Sequence, residues 1–107
     1  MKLTKLLEKL GFTDKEARVY LALVELGEGA VSEVSNAAKV KHSTTYLVLE
    51  SLEEQELVRQ NRLHKKLVYI AEPPSKLVAQ LNQKKELITQ ILPRLLETYR
   101  HNKKIDN

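Results

Sequence analysis

Residues 32–55 read SEVSNAAKVKHSTTYLVLESLEEQ, and their spacing predicts two helices separated by a short turn. Ser32 is a favourable N-cap, and the apolar residues after it recur at helical spacing, which predicts a short helix over residues 32–38. After a three-residue turn, the i, i+3, i+4, i+7 pattern of one buried face predicts a second helix over residues 42–55. That face consists of Thr45, Val48, Leu49 and Leu52. Two short helices joined in this way form a helix-turn-helix unit, which many small helical domains contain.

Two more helices are predicted on the N-terminal side of this unit. Leucines spaced by three, one and three residues predict an amphipathic helix over residues 2–10 whose stripe packs in the core, with a membrane-surface helix as the alternative. Thr13 and Glu16 have the spacing of a capping box, so the next helix is predicted over residues 14–26, ended by Gly27 and Gly29. The leucine stripe consists of Leu3, Leu6, Leu7 and Leu10.

A β-hairpin is predicted directly after the helix-turn-helix unit. Residues 57–60 and 67–71 are short runs rich in β-branched and aromatic side chains, and residues 61–66 between them form a basic tip. Pro73 and Pro74 end the hairpin, because proline cannot continue a hydrogen-bonded ladder. A helix-turn-helix followed by a hairpin is the winged-helix arrangement.

A long helix is predicted over residues 75–101, with Ser75 as its cap and Pro93 kinking it or splitting it in two. Its apolar residues follow a coiled-coil spacing that Lys85 interrupts, which favours pairing with a second copy of the chain. Residues 102–107 are polar and are expected to fray. The predicted dimerisation residues are Val78, Leu81, Ile88, Leu92, Leu95 and Tyr99.

The predicted fold is therefore mainly α with a small β-hairpin: a winged helix-turn-helix followed by a long C-terminal dimerisation helix. The predicted domains are a DNA-binding unit over residues 1–72 and a coiled-coil-like helix over residues 73–107. A chain of 107 residues is the usual size of one globular domain.

Charge is divided unevenly along the chain. Residues 1–56 carry seven basic and ten acidic side chains, whereas residues 57–107 carry eleven and four, so the net charges are −3 and +7. Such asymmetry favours an anionic partner such as nucleic acid, although a solvated basic helix face would have the same composition.

Several kinds of chemistry find no support in the sequence. There is no cysteine, and His42, His64 and His101 lie too far apart for metal-ligand spacing. No phosphate-binding glycine loop and no nucleophile-elbow motif occur. We therefore expect neither an enzyme nor a protein with a metal or cofactor. No apolar run approaches a membrane span and the N-terminus lacks a signal core, so a cytoplasmic protein without a membrane partner is expected.

Residues 11–72 resemble the N-terminal DNA-binding domain of the TrmB family of transcriptional regulators. The resemblance is carried by GFTDKEARVYLAL (11–23), VSEV (31–34), STTYLVLESLEE (43–54) and LV (57–58). It implies a winged-helix protein that binds double-stranded DNA sequence-specifically, usually as a dimer. Longer members add a sugar-binding domain for which this chain has no room, so no small-molecule effector is expected. The residues after the wing resemble the family's coiled-coil linker helix.

Two departures from the family pattern lie in the helix-turn-helix unit. Lys39 replaces a glycine that usually needs a positive φ, which predicts an altered or mildly strained turn. His42 and Leu47 stand where the family often has arginine.

The predicted recognition helix has an unusual composition for a reader of bases. With Leu49 facing the core, a turn of 100° per residue places Ser43, Leu47, Glu50 and Glu54 outward, and no lysine or arginine occurs from residue 42 to 58. Leu47 could meet a thymine methyl and Glu50 could accept from cytosine N4, but most contacts should be to phosphates. The predicted DNA-binding residues are Lys39, Lys41, His42, Ser43, Thr44, Tyr46, Leu47, Arg59, Arg62, His64, Lys65 and Lys66.

The function predicted from the sequence is that of a dimeric DNA-binding transcriptional regulator, with double-stranded DNA and a second copy as partners. Two alternatives remain open. The acidic, arginine-free recognition helix with its outward Leu47 is compatible with a winged helix used for protein contacts. A nonspecific DNA-coating protein is compatible with a predominance of phosphate contacts.

Overall fold

The computed structural model describes residues 2–63 and 65–103, and it divides into two compact units, residues 1–76 and 77–107. Four helices and a three-stranded sheet make up the first unit, and one long helix dominates the second. The elements are α1 (Leu3–Lys9), α2 (Asp14–Leu26), β1 (Glu28–Gly29), α3 (Val31–Ala38), α4 (His42–Glu54), β2 (Val58–Leu63), β3 (Lys66–Ala71) and α5 (Lys76–Lys103). The predicted fold class is confirmed.

Helix α2 is the central helix of the first unit. Its predicted capping box is present: the Glu16 amide donates to Thr13 Oγ1 over 3.1 Å, and the Thr13 amide donates to Glu16 Oε1 over 2.8 Å. The helix ends at Gly27, whose φ of 82° suits a residue without a Cβ atom. Its core-facing residues are Ala17, Val19, Tyr20, Ala22 and Leu23.

The sheet contains a strand that the sequence analysis missed. Its order is β1-β3-β2, and all pairs are antiparallel. Gly29, predicted only to stop a helix, pairs with Tyr69 as part of β1. A two-residue strand has too few positions to show a period of two, so only its partner forty residues away reveals it.

The hairpin is longer than predicted. Strand β2 begins at Val58, one residue later than expected, and β2 and β3 extend through most of the segment assigned to the basic tip. Arg62 pairs with Leu67 and therefore lies in the ladder, not in a loop. Cross-strand pairing stabilises this polar segment although its residues are poor strand formers.

Two other expectations about the helices were wrong, and of the two effects predicted for Pro93 the split does not occur while the kink stays a prediction. In α1 only Leu7 is buried, and the rest of the leucine stripe is 42–60% exposed, because a seven-residue helix turns a single residue of that stripe fully inward. Ala30, not Ser32, is the N-cap of α3, and its amide donates to Glu33 Oε1 over 2.9 Å. Pro93 does not split α5, which is one helix of 28 residues.

Helix α5 forms the second unit almost alone. It reaches Lys103, two residues further than predicted, and residues 104–107 lie outside the described part of the chain. All six of the predicted dimerisation residues are exposed, from 44% at Leu92 to 62% at Leu81. The helix therefore carries a long apolar stripe that its own unit leaves uncovered.

Candidate nucleic-acid interface

The turn between α3 and α4 is held by one carbonyl group that both helices contact. Val40 O accepts from Ser35 Oγ at 2.5 Å and from Thr45 Oγ1 at 3.3 Å, and both hydroxyl groups are buried. Ser35 belongs to α3 and Thr45 to α4, so the shared acceptor ties the two helices to each other. A buried hydroxyl that lost this acceptor would lose most of the compensation for its desolvation.

Lys39 has the left-handed conformation that its place in the family pattern implied. Its φ and ψ are 57° and 45°, and its amide donates to Ser35 O at the end of α3. Glycine is the usual residue for such a helix end, because a Cβ atom is disfavoured there by about 1 kcal/mol. The chain keeps a lysine at this strained position, directly before the recognition helix.

Arg18 of α2 is a positioning residue that the sequence analysis did not single out. Its Nε donates to Ala38 O over 3.2 Å, its Nη2 donates to Lys39 O over 2.5 Å, and its Nη1 pairs with Asp14 Oδ2 at 3.2 Å. Two of these contacts cap the C-terminal end of α3, where free carbonyl groups concentrate negative potential. Only the i, i+4 spacing from Asp14 was visible in the sequence, and it does not show the contacts to α3.

Helix α4 has a buried face, on which the predicted Val48 is only half-buried, and an exposed face. Thr45, Leu49 and Leu52 are all 0% exposed, whereas Leu47 on the opposite side is 63% exposed. Ser43, Glu50 and Glu54 are exposed as predicted. The unit therefore packs against one side of α4 and leaves the other side exposed, with Leu47 among polar residues.

The N-terminal end of α4 suits an anion. Its N-cap is Lys41, no side chain caps the helix, and its first turn contains no acidic residue. The first amides of a helix have no partner within the helix, and the helix dipole favours negative charge at this end. Exposed side chains that could reach a phosphate surround it: Lys39, Lys41, His42 and Ser43, with Thr44 half-buried.

The C-terminal half of α4 is acidic and contacts the hairpin. Gln60 Nε2 of β2 donates to Glu53 Oε1 over 2.9 Å and to the Tyr69 hydroxyl over 3.3 Å. Burial raises the pKa of Tyr69, and the nearby Tyr46, Glu53 and Glu50 raise it further. The exposed Tyr46 side chain therefore lies near Tyr69, where α4 meets the hairpin.

The basic residues of the hairpin do not all lie on one face. Because side chains alternate along a strand, Arg62 shares the face of Gln60, which contacts α4, whereas Lys66 lies on the opposite face. Lys65 lies in the turn with a φ of 64° and is exposed. His64 lies outside the described residues.

Arg59 lies away from the other basic residues of the hairpin, near its base. Its Nε contacts Glu72 Oε1 at 2.7 Å, and this ion pair involves a carboxylate whose side chain is only 24% exposed. A phosphate would have to displace that carboxylate to reach the guanidinium. The structure therefore brings Lys39, Lys41 and the start of α4 together and leaves Arg59 already paired.

Other kinds of site are not evident in the described structure. No group of His, Asp or Glu side chains within residues 2–63 and 65–103 is arranged to hold a metal ion. Within the same residues, no helix combines the length and the apolar character needed to cross a membrane.

A helix-turn-helix with an outward second helix, followed by a β-hairpin, defines a winged helix-turn-helix protein. The family model described as "Sugar-specific transcriptional regulator TrmB" matches residues 7–75, which is more than half of the chain. The chain belongs to the TrmB family of DNA-binding transcriptional regulators. A search of curated protein sequences found no match.

Solved structures share the fold at low sequence identity. The archaeal chromatin protein TrmBL2 is similar with a TM-score of 0.80 and 22% identity, covering 96% of this chain and 40% of that one. YusO from Bacillus subtilis has a TM-score of 0.58 and 21% identity, over 97% and 81% of the two chains. A MarR-family regulator from Silicibacter pomeroyi has a TM-score of 0.58 and 18% identity, over 98% and 65%. The chain thus spans well under half the length of TrmBL2.

Proposed function

We propose that the protein is a homodimeric transcriptional regulator that inserts α4 into the major groove of double-stranded DNA. The observation that carries this proposal is the pair of faces on α4: one holds the fully buried Thr45, Leu49 and Leu52, and the other is exposed beside a cationic N-terminal end. In helix-turn-helix proteins the N-terminal residues of the second helix contact base edges. A helix tied to α3 through Val40 O, with the end of α3 held by Arg18, can be presented in this way without losing its orientation.

In the proposed complex, phosphates are bound at two places. Lys39, Lys41 and the free amides of α4 bind the backbone beside the major groove, and the hairpin follows the neighbouring backbone or minor groove. Each phosphate that a cation neutralises contributes about −0.9 to the slope of log K against log salt, so five cations in one protomer give about −4.5. The five proposed cations are Lys39, Lys41, Arg62, Lys65 and Lys66.

The test of the DNA contact is a charge reversal on the hairpin. Arg62→Glu with Lys65→Glu should abolish binding to a labelled duplex in a fluorescence anisotropy titration at about 50 mM salt, because phosphate contacts supply most of the affinity. The matched control is Lys2→Glu with Lys9→Glu, which makes the same charge change at exposed positions on and beside α1. Equal binding by the hairpin variant and the unmodified protein would refute the wing assignment.

We infer that the second unit, starting after the hairpin, joins two copies through α5. A lone helix is only marginally stable in water and gains stability from packing its apolar face, and the apolar side chains of α5 are exposed. Positions 78, 81, 85, 88, 92, 95 and 99 alternate spacings of three and four residues, as in a two-stranded coiled coil. A dimer would also double the number of phosphate contacts.

The test of the dimer is a polar change in the middle of that stripe. Ile88→Glu with Leu92→Glu should halve the mass measured by sedimentation equilibrium, because two buried apolar side chains would become like charges facing each other. Gln90→Glu is the control, since residue 90 lies on the opposite side of the helix. A dimer that survives the double change would place the interface elsewhere.

Two other functions are compatible with specific features. TrmBL2 is an archaeal chromatin protein with a novel mode of DNA binding, and a chromatin protein that coats DNA would bind every sequence with equal affinity. The exposed Leu47 and Tyr46 next to an acidic stretch instead favour a protein partner. Indifference to duplex DNA at low salt, with a stable protein complex, would select that second function.

A further inference from the structure

We propose that Leu47 and Glu50 determine sequence specificity by contacting a thymine and a neighbouring cytosine in the major groove. This inference rests on the proposed DNA-binding function and adds the class of target to it. Arginine bound to guanine, the commonest specific contact in protein–DNA complexes, has no donor on this helix, since residues 42–58 contain neither lysine nor arginine.

Leu47 is the apolar half of the proposed reader. At 63% exposure it is the most exposed large apolar side chain in the described structure, and it lies on the face of α4 opposite Leu49. The thymine methyl is the one apolar group that a base pair presents in the major groove. A leucine on the groove-facing side of the helix would bury apolar surface against that methyl.

Glu50 is the polar half of the reader. It is exposed, and among the described residues it makes no hydrogen bond or ion pair, whereas Glu53 on the same helix is bonded to Gln60. A carboxylate in the major groove needs a donor, and cytosine N4 is the donor on the pyrimidine edge. Because a carboxylate near phosphates lowers affinity, its presence favours a role in discrimination over a role in attraction.

The spacing of the two side chains matches that of neighbouring base pairs. Residues 47 and 50 are three positions apart on one face, so their Cα atoms are about 4.5 Å apart along the helix axis. Base pairs are stacked about 3.4 Å apart along one strand of DNA. Both side chains can therefore contact adjacent pairs while the first turn of α4 binds the backbone.

The experiment begins with selection of bound duplexes from a random pool by the full chain. The selected half-site should contain a thymine beside a cytosine at its most constrained positions. Replacing that thymine by uracil, which removes only the methyl, should weaken binding of the unmodified protein about fourfold. Leu47→Ala should bind the thymine and uracil duplexes equally.

Variants of Glu50 and Glu54 distinguish a specific base contact from a general effect of negative charge. Glu50→Gln should change the preferred base from cytosine to adenine, with a discrimination of about tenfold, because a glutamine amide pairs with adenine N6 and N7. Glu54→Gln is the matched control: it removes the same charge one turn further along the exposed face and should keep the cytosine preference.

The outcomes separate this inference from the function on which it rests. Failure to bind any duplex would overturn both. Binding with no sequence preference, or equal affinity of the unmodified protein for thymine and uracil, would overturn the reader and leave DNA binding intact. A cytosine preference that survives Glu50→Gln would also overturn it.

Discussion

Replacing Arg18 by alanine removes the clamp between α2 and the helix-turn-helix turn. The side chain is 33% exposed and makes two charge-assisted hydrogen bonds, to Ala38 O and Lys39 O, besides its ion pair with Asp14. A hydrogen bond to a charged group contributes about 1.5–3 kcal/mol when it is protected from water. Two such bonds would give about 3 kcal/mol at the lower end, and since water can replace a partly exposed guanidinium we reduce this and expect Arg18→Ala to cost about 2 kcal/mol.

The two companion variants divide that loss into its parts. Arg18→Lys keeps the charge but loses the planar fork, so it should cost about half as much. Asp14→Asn leaves both carbonyl contacts in place and removes an exposed i, i+4 pair and one favourable dipole interaction, so its cost should stay below about 1 kcal/mol.

The assay is urea unfolding followed by circular dichroism, with thermal melting as a second measurement. A loss of about 2 kcal/mol should lower the melting temperature by about 10 °C in a unit of this size. If Asp14→Asn destabilised the protein as much as Arg18→Ala, the ion pair and not the contacts to α3 would be the important part. The account of the clamp would then be refuted.

Three further predictions concern the same unit and are tested by urea unfolding. Lys39→Gly should raise the free energy of unfolding by about 0.5–1 kcal/mol, because it relieves a left-handed lysine, and Lys39→Ala, which keeps the Cβ atom, should not. Tyr20→Phe should be neutral or stabilising by up to about 1 kcal/mol, because the buried Tyr20 hydroxyl has no hydrogen-bond partner among the described residues. Tyr69→Phe should instead cost about 0.5–1 kcal/mol, because Gln60 loses a hydrogen-bond acceptor. Stability should fall as the pH rises above about 10, because burial raises the pKa of both tyrosines, so the unfolded chain releases these protons first and the folded chain retains them. The double variant Tyr20→Phe with Tyr69→Phe should lose less of its free energy of unfolding above this pH. If it lost as much as the unmodified protein, other groups would be responsible for the effect.

Much of the first unit could be predicted from the sequence because its signals are local. The capping box of α2 and the stripe of α4 depend on residues within about four positions of each other. Residues this close in sequence interact whenever the segment is helical, so their pattern predicts the helices directly. The family pattern also placed a glycine-like conformation at Lys39 in advance.

The errors involve contacts between distant parts of the chain. Strand β1 exists because Gly29 meets Tyr69, and α1 buries only Leu7 of its leucine stripe against the rest of the first unit. The pairing partner has no local signal, since a two-residue strand is too short to show a period, and the leucine spacing of α1 predicts a helix but not which of its leucines is buried.

The candidate interface divides in the same way. The residues that form the outward face of α4 follow from helical periodicity once Leu49 is taken as buried. The clamp by Arg18 and the separation of Arg62 from Lys66 do not follow, because they depend on how the chain path brings α2 to α3 and on the register of β2 against β3. Periodicity determines which side of an element a residue occupies, whereas long-range packing determines what that side meets.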